Sequence, residues 1–117
     1  MRRPSADDVL IAAIGLVLAG AGLTEAATFP NGHAAGTGFV AARVVGAAHP
    51  RVTVTWYEDG KATDGPDGPA GKLHDCERAL RRAGFHVEYT AANTVGYLLA
   101  WQSGRSTAYL SRALRRR

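Results

Sequence analysis

A single uncharged stretch, residues 9–24, restricts the folds open to this chain more than any other feature. It spans 16 residues, whereas a helix needs roughly 20 to cross the hydrocarbon of a bilayer. Ser5 can cap a helix that begins just before this stretch, and Asp8 completes an approximate capping box three positions after Ser5. Gly22 can adopt the positive φ that ends a helix. We therefore predict a helix that is buried on most sides by a sheet, a partner subunit or both.

Two other interpretations of this stretch remain open. Arg2 and Arg3 precede it, and residues 24–26 have the small-x-small pattern of a signal-peptidase site, which together are typical of a secretion signal. Asp7 and Asp8 oppose this, because a signal tolerates acidic residues poorly at that place. A membrane anchor is the other interpretation, and the short length opposes it. The favoured prediction is a buried helix of a cytoplasmic protein, with no membrane as partner.

The predicted first helix has scarcely any polar side. Apolar residues recur at helical spacing from Leu10, while the opposite side carries small residues such as Ala12 and Gly15. Such a helix exposes apolar surface unless another element covers it. We therefore expect contact with a second copy of the chain, as a homodimer, or with another protein, through Leu10, Ile14 and Val17.

Alternating side chains predict the strands. Residues 51–57 have one face formed by Val52, Val54 and Trp56. Residues 39–45 are the expected partner strand. Residues 85–90 are predicted as a half-buried strand whose apolar face consists of Phe85, Val87 and Tyr89. Residues 94–101 are predicted as another, with one face formed by Val95, Tyr97, Leu99 and Trp101.

A second helix is predicted between these pairs of strands. Pro69 suits its first turn, and Gly84 ends it. Its apolar stripe consists of Leu73, Cys76, Leu80 and Ala83. A last short helix is expected to begin at Ser106 and to carry Leu110 and Leu114.

These elements predict one α+β domain over residues 1–117, with a basic C-terminal segment at 105–117. The order is α-β-(β)-β-α-β-β-α, and we expect an antiparallel sheet of four to five strands with helices on one face. This order resembles the secretion-chaperone-like fold, which consists of a helix, three strands, a helix, two strands and a helix. That resemblance implies a dimer that binds other proteins. The order also resembles a ferredoxin-like sheet with its termini moved.

The ends of the first two helices share a pattern. Leu18-x-x-Ala21-Gly22-Leu23 in the first half matches Leu80-x-x-Ala83-Gly84-Phe85 in the second. The match predicts that one unit, a helix followed by a hairpin, is used twice. The alternative is that Leu-x-x-Ala-Gly is simply a common way to end a helix.

The sequence contains no pattern that indicates catalysis. Cys76 is the only cysteine, and its place on the apolar stripe predicts an inert buried thiol. The neighbours His74, Asp75 and Glu77 cannot converge with it on one point, because adjacent helical residues point about 100° apart. The four histidines lack the close spacing of zinc ligands. We therefore expect no catalytic residues, no metal, no cofactor and no enzymatic activity.

The basic character of the chain is concentrated at its end. The net charge is +4, but residues 101–117 hold five arginines and no acid, so the other 100 residues sum to −1. This segment is either a solvated tail or a surface for nucleic acid or an acidic partner. The candidate residues are Arg105, Arg112, Arg115, Arg116 and Arg117, and the patch could be extended by Arg78, Arg81 and Arg82.

Residue usage adds one resemblance. Arginine supplies 12 of the 14 cations and alanine occurs 22 times. This usage resembles that of short proteins of actinobacteria, their plasmids and their phages.

The leading hypothesis for the function is a non-catalytic protein–protein interaction module, homodimeric and cytoplasmic. The alternative is a nucleic-acid-associated accessory protein of a mobile element that uses its Arg-rich C-terminus.

Overall fold

The first helix, α1 (Ala6–Gly20), begins and ends where the sequence predicts. The Asp8 N–H donates to the Ser5 hydroxyl at 3.1 Å, and the Ser5 N–H donates back to the Asp8 carboxylate at 3.3 Å, which is a complete capping box. Gly22 lies just beyond the helix with φ +84°. In this computed structural model, residues 5–31, 33–46, 49–62, 69–92 and 95–102 are described.

The sheet has five antiparallel strands. They are β1 (Gly38–Arg43), β2 (Arg51–Glu58), the short β3 (Lys61–Ala62), β4 (His86–Ala92) and β5 (Val95–Trp101). Their spatial order is β1-β2-β5-β4, and β3 pairs with β2. The second helix, α2 (Pro69–Arg82), contacts α1, and both helices contribute to one core on the same face of the sheet. The predicted α+β class is therefore confirmed; the expected last helix, with Leu110 and Leu114, lies outside the described residues.

The pairing register of the strands brings core residues of neighbouring strands side by side. Val54 is opposite Ala41 in β1 and opposite Leu98 in β5. Ala100 lies between Val52 and Val87 in the next row. These rows meet the buried residues of α1 and α2, including Leu18 and Leu80, so one layer of helices covers one face of the sheet.

The burial of β5 differs from the sequence pattern. Its large side chains at Tyr97, Leu99 and Trp101 lie on the face away from the core and are half-buried, whereas Leu98 and Ala100 are fully buried. Both faces of this strand are apolar, so alternation alone does not choose between them. The register with β2 and β4 makes that choice.

Tyr89 also departs from its expected place in the core. It follows Val87 on the same face of β4, but it is 48% exposed while Val87 is buried. β4 is the last strand of the sheet, so a side chain near its end has fewer neighbours to cover it. The ring of Tyr89 instead lies over Gly96 of the neighbouring strand.

The predicted interface on α1 is corrected by the fold. Leu10, Ile14 and Val17 are 1%, 0% and 7% exposed and belong to the core of the chain itself. The sheet is wide enough to cover this side of the helix without a partner. The side that faces outward is also apolar and uncharged, and it consists of Ile11, Ala12, Gly15, Leu16 and Ala19.

The two halves of the domain repeat one arrangement. Each consists of a helix followed by an antiparallel hairpin, and the two hairpins meet where β2 pairs with β5. The helix ends are closed alike: the Leu23 N–H donates to the Leu18 carbonyl, and the Phe85 N–H to the Leu80 carbonyl, both at 3.0 Å. Each is the six-to-one bond of a Schellman motif. The structural repeat expected from the sequence is thus present in the described part of the chain.

Candidate docking groove between the helices

An open groove of about 550 Å³ lies between the two helices on the outer side of the helix layer. We call it the helix groove. Its first wall is the end of α1 and the turn after it, formed by Leu16, Val17, Gly20, Ala21, Gly22 and Leu23. Its second wall is one side of α2, formed by Lys72, Asp75, Arg78, Ala79, Arg82 and Ala83.

The wall from α1 carries no charge. Leu16 and Leu23 are half-buried and offer apolar surface, while Gly20 and Ala21 are too small to fill the space beside them. The last turn of α1 contains no basic residue, although a helix C-terminus attracts cations. This wall therefore combines an apolar surface with the negative end of a helix dipole.

The wall from α2 is cationic. Lys72, Arg78 and Arg82 oppose one carboxylate, Asp75, which leaves a net charge of +2. Arg78 forms an ion pair with Asp75, whereas Lys72 and Arg82 have no ion-pair partner among the described residues. The end of α1 contributes the equivalent of only about −0.5 charge, so most of this positive charge is left for a partner.

The structure divides the arginine patch that the sequence suggested on α2. Arg78 and Arg82 line the helix groove. Arg81 points elsewhere: it donates to the Glu77 carboxylate at 3.1 Å and to the Val87 carbonyl at 2.6 Å. Arg81 therefore ties α2 to β4, and its guanidinium is already engaged. The other candidates, Arg105, Arg112, Arg115, Arg116 and Arg117, lie outside the described residues.

Cys76 occupies the core, as its helical spacing predicts. Burial, with a smaller effect from the Asp75 charge, raises the pKa of its thiol to about 12, so almost no thiolate is present at neutral pH. His74 is exposed and contacts Glu77, with 3.4 Å between Nδ1 and Oε1. Cys76 is therefore buried apart from its neighbours: His74 and Glu77 contact each other at the surface, and Asp75 pairs with Arg78.

Neither of the described helices combines the length and the apolar character that a membrane span requires. Within the described ranges, no group of three or more His, Cys, Asp or Glu side chains is arranged to hold a metal ion.

A row of stacked side chains crosses the sheet on the face away from the helices. Trp101 is directly opposite Arg51 in β2 and His86 in β4. The Arg51 guanidinium carbon lies 4.8 Å from the Trp101 ring centroid, and the His86 ring stacks on Trp101 at 5.5 Å. We call these three residues the stacked row. Trp101 is the last residue of β5, and the basic segment 105–117 follows it in the sequence.

Sequence reasoning missed part of both surfaces. In the helix groove it passed over Lys72 and Ala79, although the spacing of Lys72, Asp75, Ala79 and Arg82 marks one side of α2. For the stacked row the sequence holds no signal, because the residues are far apart and meet only through strand register.

Comparisons with protein-family models, curated proteins and solved structures find no match to this chain.

Proposed function

We propose that this domain is a non-catalytic protein–protein interaction module that receives its partner on the helix layer. The observation that carries the proposal is the helix groove, in which an uncharged apolar wall stands opposite a wall whose Lys72 and Arg82 have no ion-pair partner among the described residues. Docking sites on proteins combine apolar contact area with charges that select the partner. The partner is another protein or a second copy of the chain.

Rigidity of the groove walls supports the proposal. Leu18 and Leu80, on the inward sides of α1 and α2, are fully buried, and both helix ends are closed by hydrogen bonds. A surface held in this way loses little conformational freedom when a partner binds, so less of the contact energy is spent on ordering. We also propose that the domain acts in the cytoplasm, because α1 packs as a structural helix of the core.

The first prediction tests for a partner at the groove. A photo-crosslinking amino acid at Leu16 should form a discrete protein adduct in cells, and light scattering of the purified protein shows whether a second copy is the partner. The matched control is the same amino acid at Val45, which is 90% exposed in the turn after β1. A purified monomer whose Leu16 position gives only the adducts seen at Val45 would contradict the proposal.

A second candidate function is association with nucleic acid, and the stacked row favours it. An aromatic ring flanked by a guanidinium and an imidazole lies at the end of β5, and five arginines without an acid follow it in the sequence. Stacking surfaces beside cations are the combination with which proteins hold single strands without sequence preference. In this alternative the domain is an accessory protein of a mobile element.

The second prediction concerns this alternative. Deleting residues 115–117, which follow the last apolar residue Leu114, should weaken binding to single-stranded DNA or RNA. It should also lower the slope of log affinity against log salt by up to about 2 units, because up to three phosphate contacts are lost and each contributes about 0.7 on a single strand. Fluorescence anisotropy at several salt concentrations measures both quantities. Equal binding by the shortened chain, or no binding by the full chain at low salt, would contradict the alternative.

A further inference from the structure

We infer that the helix groove accepts an amphipathic helix that carries carboxylates, supplied by the partner protein. This inference rests on the proposed function and adds the chemistry of the partner to it. It follows from the length of the groove, the distribution of its charges and the residues between them.

The length of the groove suits a short helix. Its cationic wall extends along α2 from Lys72 to Ala83, which is roughly 17 Å at a rise of 1.5 Å per residue. A partner helix of about three turns covers that distance. Helices that bind in grooves between two other helices present apolar residues at spacings of three and four, and the uncharged wall of α1 offers the surface to receive them.

The charges of the groove select an acidic helix. Lys72 and Arg82 stand near opposite ends of the α2 wall and have no ion-pair partner among the residues described. Between them, Arg78 is neutralised by Asp75, and Ala79 gives a small apolar surface. The complementary helix therefore carries acids toward both of its ends and apolar residues at its centre.

The same charges disfavour two occupants that the chain itself could supply, its basic C-terminal segment and the groove of a second copy. The segment 101–117 holds five arginines and no acid, so the cations of the groove repel it. A symmetric dimer with groove against groove brings two surfaces of charge +2 together, which is also unfavourable. An acidic helix of a different protein meets neither obstacle.

Selection from a displayed library of random peptides tests the inference without assuming a sequence. The bait is the full chain. We expect the selected peptides to contain more Asp and Glu than the library and to have apolar residues at helical spacing. Binding of a selected peptide should weaken about tenfold or more in Arg82→Glu, which loses one charge pair and gains a repulsion. Replacing an acid of the peptide with Lys should restore its binding to that variant.

The matched control is Lys61→Glu, which makes the same change of charge at an exposed position in β3 and should leave peptide binding within about twofold. Circular dichroism confirms that both variants are folded. Selected peptides without excess acid, or equal binding to Arg82→Glu, would overturn the inference while a groove-specific crosslink at Leu16 would still support the proposed function. Displacement of the peptide by an oligonucleotide would also overturn it, by identifying the groove as a phosphate site.

Discussion

The Ile14→Asp variant is expected to lose its cooperative fold. Ile14 is fully buried on the side of α1 that belongs to the core. The substitution therefore places an unpaired carboxylate in the core, which costs several kcal/mol. The apolar contacts of the isoleucine are lost as well. Together these losses approach the whole stability of a small domain, which is about 5–15 kcal/mol. Thermal unfolding followed by circular dichroism should show no sigmoidal transition.

Ala12→Asp on the outward side of the same helix is the matched control. Ala12 is only half-buried, so its substitution should lower the free energy of unfolding by about 1 kcal/mol or less, mainly through helix propensity. The comparison also tests the assignment of Ile14 to the core. If Ile14→Asp were a folded monomer while the parent chain were a dimer, Ile14 would face a partner and the core assignment would be wrong.

The Gly38→Ala variant is expected to lose roughly 3–5 kcal/mol of unfolding free energy, from backbone strain and steric overlap together. Gly38 has φ +140°, a conformation that essentially only glycine adopts. A Cβ there would overlap the Thr24 carbonyl and lie 2.6 Å from the Ala26 nitrogen. Both neighbours are backbone atoms, held by hydrogen bonds of 2.9 Å to Phe39, so they cannot move aside without breaking this contact. Urea unfolding measures the loss.

Gly36→Ala provides the comparison for this variant. A Cβ at Gly36 would have no atom within 4 Å, so the change should alter the stability by less than about 1 kcal/mol. If both variants had the same urea midpoint, the close approach of residues 24–26 to the first strand would be refuted. A large loss confined to Gly38→Ala would agree with the backbone strain and the close contact at this glycine.

Elements governed by near neighbours were predictable from the sequence. The capping box of Ser5 and Asp8, the glycine ends of both helices and the apolar stripe of α2 involve residues a few positions apart. The alternation of β2 is similarly local, and its three predicted core residues, Val52, Val54 and Trp56, are all buried. In each case the interaction and the pattern that reveals it lie within one element.

The candidate site was only partly predictable. Arg78 and Arg82 were recognised as cations that could bind a partner, but Arg81 was grouped with them although it contacts Glu77 and β4. Arg78 and Arg82 are four positions apart and share one side of α2, whereas Arg81 is rotated by about 100° from Arg82 and by about 60° from Arg78. The groove itself depends on where α1 crosses beside α2, and no short pattern encodes that placement.

By itself, the sequence determined the two helices α1 and α2, the long strands and the antiparallel α+β class, because these depend on spacing, caps and turns along the chain. Only the tertiary structure decided which apolar face is covered. Leu98 and Ala100 are buried in place of Leu99 and Trp101 because pairing with two neighbours sets the phase of β5. Ile14 is covered by the domain's own sheet, not by a partner. Where both sides of an element are apolar, hydrophobicity gives no preference, and the neighbours that it meets in space make the choice.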